Sequence, residues 1–270
     1  MKRFVPRTLV LPPARTAYAL WALLCFVAIG ICALTLLLVL PRLRWRRGAA
    51  RALARAFLTL AGMPLSVRFA ERLPPGQCVV VCNHASYLDG IVLTAALPAR
   101  FGFVIKREMA VVPLAGGLLR RLGAQFVERF NRARGAVDAR RMLRNAREGG
   151  SLVFFPEGTF TRTPGLLAFH SGAFAAACRA GCALVPAVVR GTRRALRPGG
   201  GWPRPGAIEM EILLPLTPAA DAGERCAAVL RERARTAMLA ALGEPDLTCC
   251  GDTGRPPDTA PARSAPANRP

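Results

Sequence analysis

His84 and Asp89 stand five positions apart in the run Asn83-His84-Ala85-Ser86-Tyr87-Leu88-Asp89-Gly90, in a chain that holds only two histidines. An imidazole can take a proton from an alcohol near neutral pH. A carboxylate on its other ring nitrogen would fix the tautomer and stabilise the imidazolium that forms. Such a pair is a base and its orienter without a nucleophile of its own. Ser86 lies between them but lacks the Gly-x-Ser-x-Gly elbow and reads better as a helix cap. The residues alone leave a second reading open, in which His84 is a loop residue and Asp89 only caps a helix.

The elements needed to bring the pair together are legible nearby. Cys78-Val79-Val80-Val81-Cys82 is a short β-branched run bounded by Pro74-Pro75-Gly76, the pattern of a buried strand. Ser86 and Asp89 match the capping-box spacing, which predicts a helix from Ser86 to Leu97. On a continuous helix a five-residue step would turn the two side chains about 140° apart. They can meet only where the backbone bends, as at a strand-to-helix turn, whose free N–H groups could also hold a developing oxyanion.

The chain has 270 residues, is 52% hydrophobic and carries a formal charge of +22, enough for one substantial core plus appendages. So basic a chain would suit nucleic acid or an anionic membrane surface. Its only lysines are Lys2 and Lys106, so the charge is almost wholly arginine. No RNA-binding signature, zinc-finger spacing or helix-turn-helix accompanies it, and nucleic acid is not the expected partner. The nine cysteines are an odd number, and Cys25, Cys32, Cys178 and Cys182 sit in apolar stretches. That arrangement predicts reduced, buried thiols rather than a disulfide framework, and no metal site.

Five segments follow. Residues 1–16 are a basic N-terminal segment, and residues 17–40 are uncharged and long enough to cross a hydrocarbon core of about 30 Å. Residues 41–73 place Leu53, Phe57 and Leu60 on one helical face and Arg47, Arg51 and Arg55 on another, the layout of an interfacial amphipathic helix facing anionic headgroups or, equally, of an ordinary surface helix packed on the domain. Residues 74–243 alternate strands with helices, and residues 244–270 turn to the composition of a disordered tail. Strands are predicted at Cys78 to Cys82, Gly102 to Lys106, Ala124 to Glu128, Ser151 to Phe155, Leu184 to Val189 and Ile208 to Leu214. Helices are predicted over Ser86 to Leu97, Leu114 to Leu122, Arg134 to Glu148, Ser171 to Ala180 and Ala222 to Leu242. The fold class is α/β: a mixed, largely parallel sheet flanked by helices and preceded by a membrane-anchoring helix.

Three further clusters fall at strand ends, where ligands gather in open α/β sheets. They are Gly123 to Arg129, Phe155-Pro156-Glu157-Gly158-Thr159, and Val185-Pro186. With Asn83-His84 through Asp89 they resemble, in order and over about Gln77 to Leu214, the glycerolipid acyltransferase family of the 1-acyl-sn-glycerol-3-phosphate acyltransferase type. The resemblance implies His84 and Asp89 as catalytic residues. As substrate-binding residues it implies Asn83, Lys106, Gly123, Phe126, Arg129, Glu157, Gly158, Thr159 and Pro186. Phe169-His170-Ser171-Gly172 is similar to the family's Phe-Lys-x-Gly segment, which makes His170 a substrate-side polar residue. Where the family often has Arg after Glu-Gly-Thr, this chain has Phe160, with Arg162 two positions on as a substitute cation.

The resemblance implies transfer of an acyl group from acyl-CoA or acyl carrier protein to the free hydroxyl of a membrane lysolipid. The acceptor it points to first is 1-acyl-sn-glycerol-3-phosphate, giving phosphatidic acid, with no metal and no bound cofactor. Lyso-ornithine lipid is the alternative acceptor, and a membrane-bound lipid or thioester hydrolase the alternative from another class. The expected location is a bacterial inner membrane with the catalytic domain on the cytoplasmic side.

Overall fold

The computed structural model describes residues 13–127, 150–199, 201–218 and 225–248. Its central strand, β2 (Cys78–Cys82), is buried at every position, which is why its sequence is continuously apolar rather than alternating. Cys78, Val80 and Cys82 point into the core on one face of the sheet, and Val79 and Val81 into the core on the other.

Around β2 lie β1 (Leu65–Arg68), β3 (Phe101–Lys106), β4 (Gln125–Val127), β5 (Ser151–Phe154), β6 (Ala183–Arg190) and β7 (Ile208–Ile212), in the spatial order β1-β7-β6-β2-β5-β3-β4. Every neighbouring pair is parallel except β6 with β7. The carboxyl ends of β2, β3, β4, β5 and β6 therefore share one edge. One face is covered by α1 (Pro13–Val39), α2 (Leu43–Leu60) and α3 (Asp89–Ala96), through Phe57, Leu58, Val92 and Leu93. The other is covered by α5 (Gly172–Ala180) and α7 (Cys226–Leu242), through Phe174, Leu230 and Met238. Two short helices, α4 (Ala115–Arg121) and α6 (Thr192–Ala195), complete the described elements.

The expected fold class is present, and four local expectations are corrected. The stretch 41–73 is not one interfacial unit: it holds α2 and then the edge strand β1, so the sheet reaches back before Pro74. Nor do the α2 arginines face headgroups. Arg51 donates to the carbonyls of Ala95 and Ala96 at 3.4 Å and Arg55 to that of Ala95 at 2.8 Å, while Arg47 reaches Leu122 and Arg100. Two guanidiniums thus cap the last turn of α3, whose carbonyls have no partner within the helix. Cys178 and Cys226 form a disulfide joining α5 to α7, so these two are not the reduced thiols expected, whereas Cys25, Cys78, Cys82 and Cys182 are free and buried and Cys32 is free but exposed. Finally, residues 244–248 pack onto the domain: Glu244 pairs with Arg193 at 3.1 Å and Asp246 with Arg235 at 2.5 Å.

Most helix and strand bounds agree within a few residues. The helix expected from Ser86 starts at Asp89, because the Ser86 hydroxyl donates to Leu196 O at 2.8 Å and accepts the Leu88 N–H at 3.2 Å, leaving a turn before the first helical residue. The expected helix Arg134 to Glu148, Glu128, Arg129, and residues 1–12 and 249–270 lie outside the described residues.

Candidate active site

His84 leaves β2 two residues past its end, on the edge shared by the carboxyl termini of β5 and β3. Asn83, the residue between, continues the ladder with its side chain. Its amide nitrogen donates to Val189 O at 3.0 Å and its amide oxygen accepts the Val189 N–H at 2.7 Å. That bond pair ties the start of the turn to β6, and Asn83 is buried, so both its polar groups serve the frame.

The turn closes on Asp89. Its Oδ2 accepts three N–H groups: Nδ1 of His84 at 2.8 Å, the amide of Ala85 at 2.6 Å and that of Ser86 at 2.8 Å. The Ser86 bond is the carboxylate half of the capping box. Because Oδ2 already accepts two amides, it is an acceptor for the ring as well. Nδ1 therefore carries the imidazole proton and the lone pair lies on Nε2. Asp89 is fully buried, while the His84 side chain keeps 18% of its surface exposed, so one end of the pair is sealed and the other is open. Asp89 Oδ1 is buried without a partner.

Five amides of this turn, where an oxyanion contact is expected, are engaged within the protein. The N–H groups of Ala85 and Ser86 go to Asp89, that of Leu88 to Ser86 Oγ, that of Asp89 to Ser86 O, and that of His84 to Glu157 Oε1 at 2.7 Å. They hold the dyad instead of facing a substrate.

Glu157 is the second brace. It stands in a turn that follows β5, in which the Gly158 N–H donates to Phe155 O at 3.1 Å, with Pro156 supplying the fixed φ and Gly158 a φ of 71°. Its carboxylate spans from the His84 amide to the Leu167 amide, at 2.7 and 2.9 Å. Burial pushes its pKa up to about 7, against the pull of those two N–H donors and of Arg193. Glu157, expected at the substrate, is thus inside the wall behind the base. Cys82 is fully buried, and that burial, with Asp89 and Glu157 nearby, raises its pKa well above the usual thiol range. It stays a thiol and offers no nucleophile.

Aromatic rings frame the imidazole. Phe155 stacks on it at 4.1 Å between centroids, and Phe160 meets it edge-on at 4.4 Å. Tyr87, largely exposed, in turn meets Phe160 at 4.8 Å. The ring of His84 is held between two phenyl groups, which fixes its plane and keeps water off its faces. Sequence reasoning missed this frame, although Phe155 and Tyr87 lie inside the motifs that located the dyad and Phe160 was noted only as a departure.

The other expected residues are distributed as follows. Lys106 ends β3 on the same edge, and Phe126 is paired in register with Ile105 beside it. Gly123 is the left-handed residue that ends α4. Its N–H reaches Arg120 O, and that of Ala124 reaches Leu119 O, the two bonds of a Schellman motif. Thr159 is exposed at the turn, and His170, also exposed, is tied by its amide to Pro156 O. Pro186 is buried within β6, opposite Val81, in the frame and not at the mouth. Arg162 donates to Pro198 O and Gly199 O, turned toward a neighbouring loop. There it lines a cleft of about 930 Å³ with Arg190, Arg193, Arg194 and Arg197. Two acids also line it: Glu209 pairs with Arg190, and Glu244 with Arg193.

Comparison with known proteins fits this geometry. The family model described as Acyltransferase matches residues 64–190, which span β1 to the end of β6 and include the whole turn from His84 to Asp89. The matched span, residues 64–190, is similar to the acyltransferase family. The chain is 30% identical over 162 residues to a chloroplastic 1-acyl-sn-glycerol-3-phosphate acyltransferase of Brassica napus, covering 58% of this chain and 46% of that one. It is 34% identical over 133 residues to a lyso-ornithine lipid O-acyltransferase of Pseudomonas aeruginosa, covering 48% and 49%. The chain spans about half the length of these curated relatives. The fold is shared with the crystal structure of the 1-acyl-sn-glycerophosphate acyltransferase of Thermotoga maritima, at a TM-score of 0.68 and 20% identity, over 85% of this chain and 94% of that one.

Proposed function

We propose that the domain moves a fatty acyl group from an acyl thioester to the free hydroxyl of a lysolipid, with 1-acyl-sn-glycerol-3-phosphate as acceptor and phosphatidic acid as product. The observation that carries this reading is a base with an open Nε2 and, among the described residues, no protein nucleophile beside it. Ser86 Oγ is held by Leu196 O and Cys82 is buried as a thiol. The attacking oxygen then belongs to the substrate.

In the reaction so assigned, Nε2 of His84 takes the hydroxyl proton as the lipid oxygen attacks the thioester carbonyl. The tetrahedral intermediate collapses, the C–S bond breaks, and the imidazolium returns its proton to the leaving thiolate. A positioned base contributes about 10² to 10⁴ in rate. Asp89 stabilises the imidazolium, and the Phe155 and Phe160 rings hold its plane. Lys106 at the end of β3, with Arg129, is assigned to the acceptor's phosphate. The donor is an acyl-CoA or an acyl carrier protein thioester.

A second acceptor is favoured by one observation. Phe160 puts an uncharged ring against His84, and Arg162 turns away to Pro198 and Gly199. With the cation moved from the base, a zwitterionic headgroup such as that of lyso-ornithine lipid fits as well.

The domain is assigned to a membrane, with α1 as the anchor. This helix is long and apolar enough to cross one, and 17% of its apolar window is buried within the protein. It runs back along α2 through Tyr18 Oη to Ala61 O, Trp21 Nε1 to Leu60 O and the Phe26–Phe57 contact. That packing suits a hairpin seated in one leaflet of a bacterial inner membrane, with the domain on the cytoplasmic side.

The test offers labelled acyl-CoA and acyl carrier protein thioesters with 1-acyl-sn-glycerol-3-phosphate and with lyso-ornithine lipid, to wild type and His84→Ala. Labelled phosphatidic acid lost in the variant is expected. Free fatty acid as the sole product would point to a hydrolase, and transfer surviving in His84→Ala would overturn the dyad.

A further inference from the structure

Past Lys106 the chain crosses the same strand edge as the dyad through a short 3-10 turn, Arg107–Ala110, and then Val111, Val112, Pro113 and Leu114 lead into α4. The apolar side chains here face outward: Val111 is 81% exposed, Leu114 73%, Val112 40% and Met109 38%. The loop is not slack. Its base is closed by Gly116, where a Cβ would stand 2.2 Å from Ala110 O, and by Arg120, whose guanidinium donates to the same carbonyl at 2.9 Å. Leu114 sits at φ 62° and ψ −53°, the centre of a three-residue turn in which the Ala115 N–H reaches Pro113 O at 2.7 Å. A rigid backbone thus displays four apolar side chains to the surroundings.

We infer that Met109–Leu114 is a wedge that enters the lipid bilayer beside the catalytic turn, a second membrane contact in addition to α1. Three observations select a lipid surface as its occupant. First, the loop is joined to the anchor through α4. α4 issues from the loop, and at its other end Arg121 donates to the carbonyls of Leu37 and Leu38 at the end of α1. That helix exposes Leu36, Leu38 and Val39. Second, the loop is bordered by Lys106, Arg107, Arg120 and Arg121 against the lone acid Glu108, the charge that anionic headgroups attract. Third, β3 lies two strands from β2 in the sheet, about 10 Å, and exposed Tyr87 packs on Phe160, whose ring meets His84. A wedge at this place would set the bilayer surface at the mouth of the site, where a lipid hydroxyl must reach Nε2 of His84.

The inference rests on the proposed lipid acceptor only in its kinetic consequence, so the experiment has two arms. In the first, an environment-sensitive fluorophore is introduced through a non-natural residue at position 111, or at exposed position 232 on α7, of the full-length protein bound to phosphatidylglycerol-containing vesicles. A blue shift and quenching by chain-brominated lipid are expected at 111 and neither at 232. A water-like spectrum at 111 on bound vesicles overturns the wedge. In the second, V111D with L114D is assayed with lysolipid in vesicles and with a short-chain lysolipid dispersed in detergent. KM should rise about tenfold or more in vesicles and stay within about twofold in detergent. Equal losses in both overturn the wedge as a substrate-delivery element. If no lysolipid accepts an acyl group at all, the functional reading falls, while the fluorophore still decides insertion.

Discussion

Asp89→Asn isolates the charge of the orienting residue from its shape. In the native turn Oδ2 lies 2.8 Å from Nδ1 of His84, with Asp89 fully buried and the imidazole open to solvent only at its other end. When Nε2 takes the substrate proton, unit charges face each other across about 4 Å. At an effective dielectric of about 20 that attraction is worth about 4 kcal/mol. Asparagine keeps an oxygen able to accept the amides of Ala85 and Ser86, but supplies no charge when the imidazolium forms. The loss falls on the step in which the charge develops, so kcat should drop about 10³-fold while KM stays within about twofold. The amide nitrogen would occupy the place of Oδ1, already buried without a partner, at a cost of about 1 to 3 kcal/mol in stability. The assay is steady-state transfer of a labelled acyl group, with thermal unfolding alongside to confirm that the variant is folded. A fall in kcat under about tenfold in a folded variant, or a loss confined to KM, would refute the assignment of Asp89 as the group that stabilises the imidazolium.

Three further outcomes follow from the frame. The Glu157 carboxyl, held at about 7 against an ordinary 4.5, binds its proton more tightly folded than unfolded. Its contribution therefore falls as pH rises from about 4.5 to 7, by about 3 kcal/mol, then levels off; Glu157→Gln should flatten that slope in a pH series of thermal unfolding, and parallel curves would contradict it. Gly123→Ala forces a side chain into φ 71° with its Cβ 3.0 Å from Arg47 Nη2, and should cost about 1 to 3 kcal/mol in unfolding measurements with kcat little changed. Replacing Cys178 and Cys226 by serine opens a loop of 48 residues, which the chain-entropy relation values at about 4 kcal/mol; the variant should unfold at a lower temperature than oxidised wild type, and wild type in reductant should match it.

The turn from His84 to Asp89 was legible because its signals are local. A strand buried on both faces needs five apolar residues in a row, and the spacing from His84 to Asp89 forces a bend between them. What holds that turn was not legible, since its partners are remote in sequence. The Asn83 amide is met by Val189, 106 positions away, and the His84 amide by Glu157, 73 positions away. Glu157 looked like a substrate ligand because a carboxylate in a Gly turn at a strand end is polar and conspicuous, and only the fold shows it facing inward. The α2 arginines left two readings open for a related reason. A basic stripe opposite an apolar one has the same pattern whether it meets phosphates or the carbonyl end of a neighbouring helix. β1 escaped notice because four alternating residues, Leu65–Arg68, gain their place from β7, some 140 residues further on. The pairing of Cys178 with Cys226 cannot be read from spacing at all.

The grip of Arg51 and Arg55 on α3 gives the N-terminal hairpin a mechanical role. α3 begins at Asp89, the dyad's orienter, and ends at the two carbonyls those guanidiniums hold. The helix is eight residues long, so its two ends lie only about 12 Å apart. The hairpin is therefore less a tether than a rear bearing of the active site. Trimming it away to make a soluble enzyme would uncover Leu93 and Val92 and release the far end of the rod on which the carboxylate is mounted. Conversely, a shift of α2 along its axis would be passed, through eight residues, to the position of Asp89.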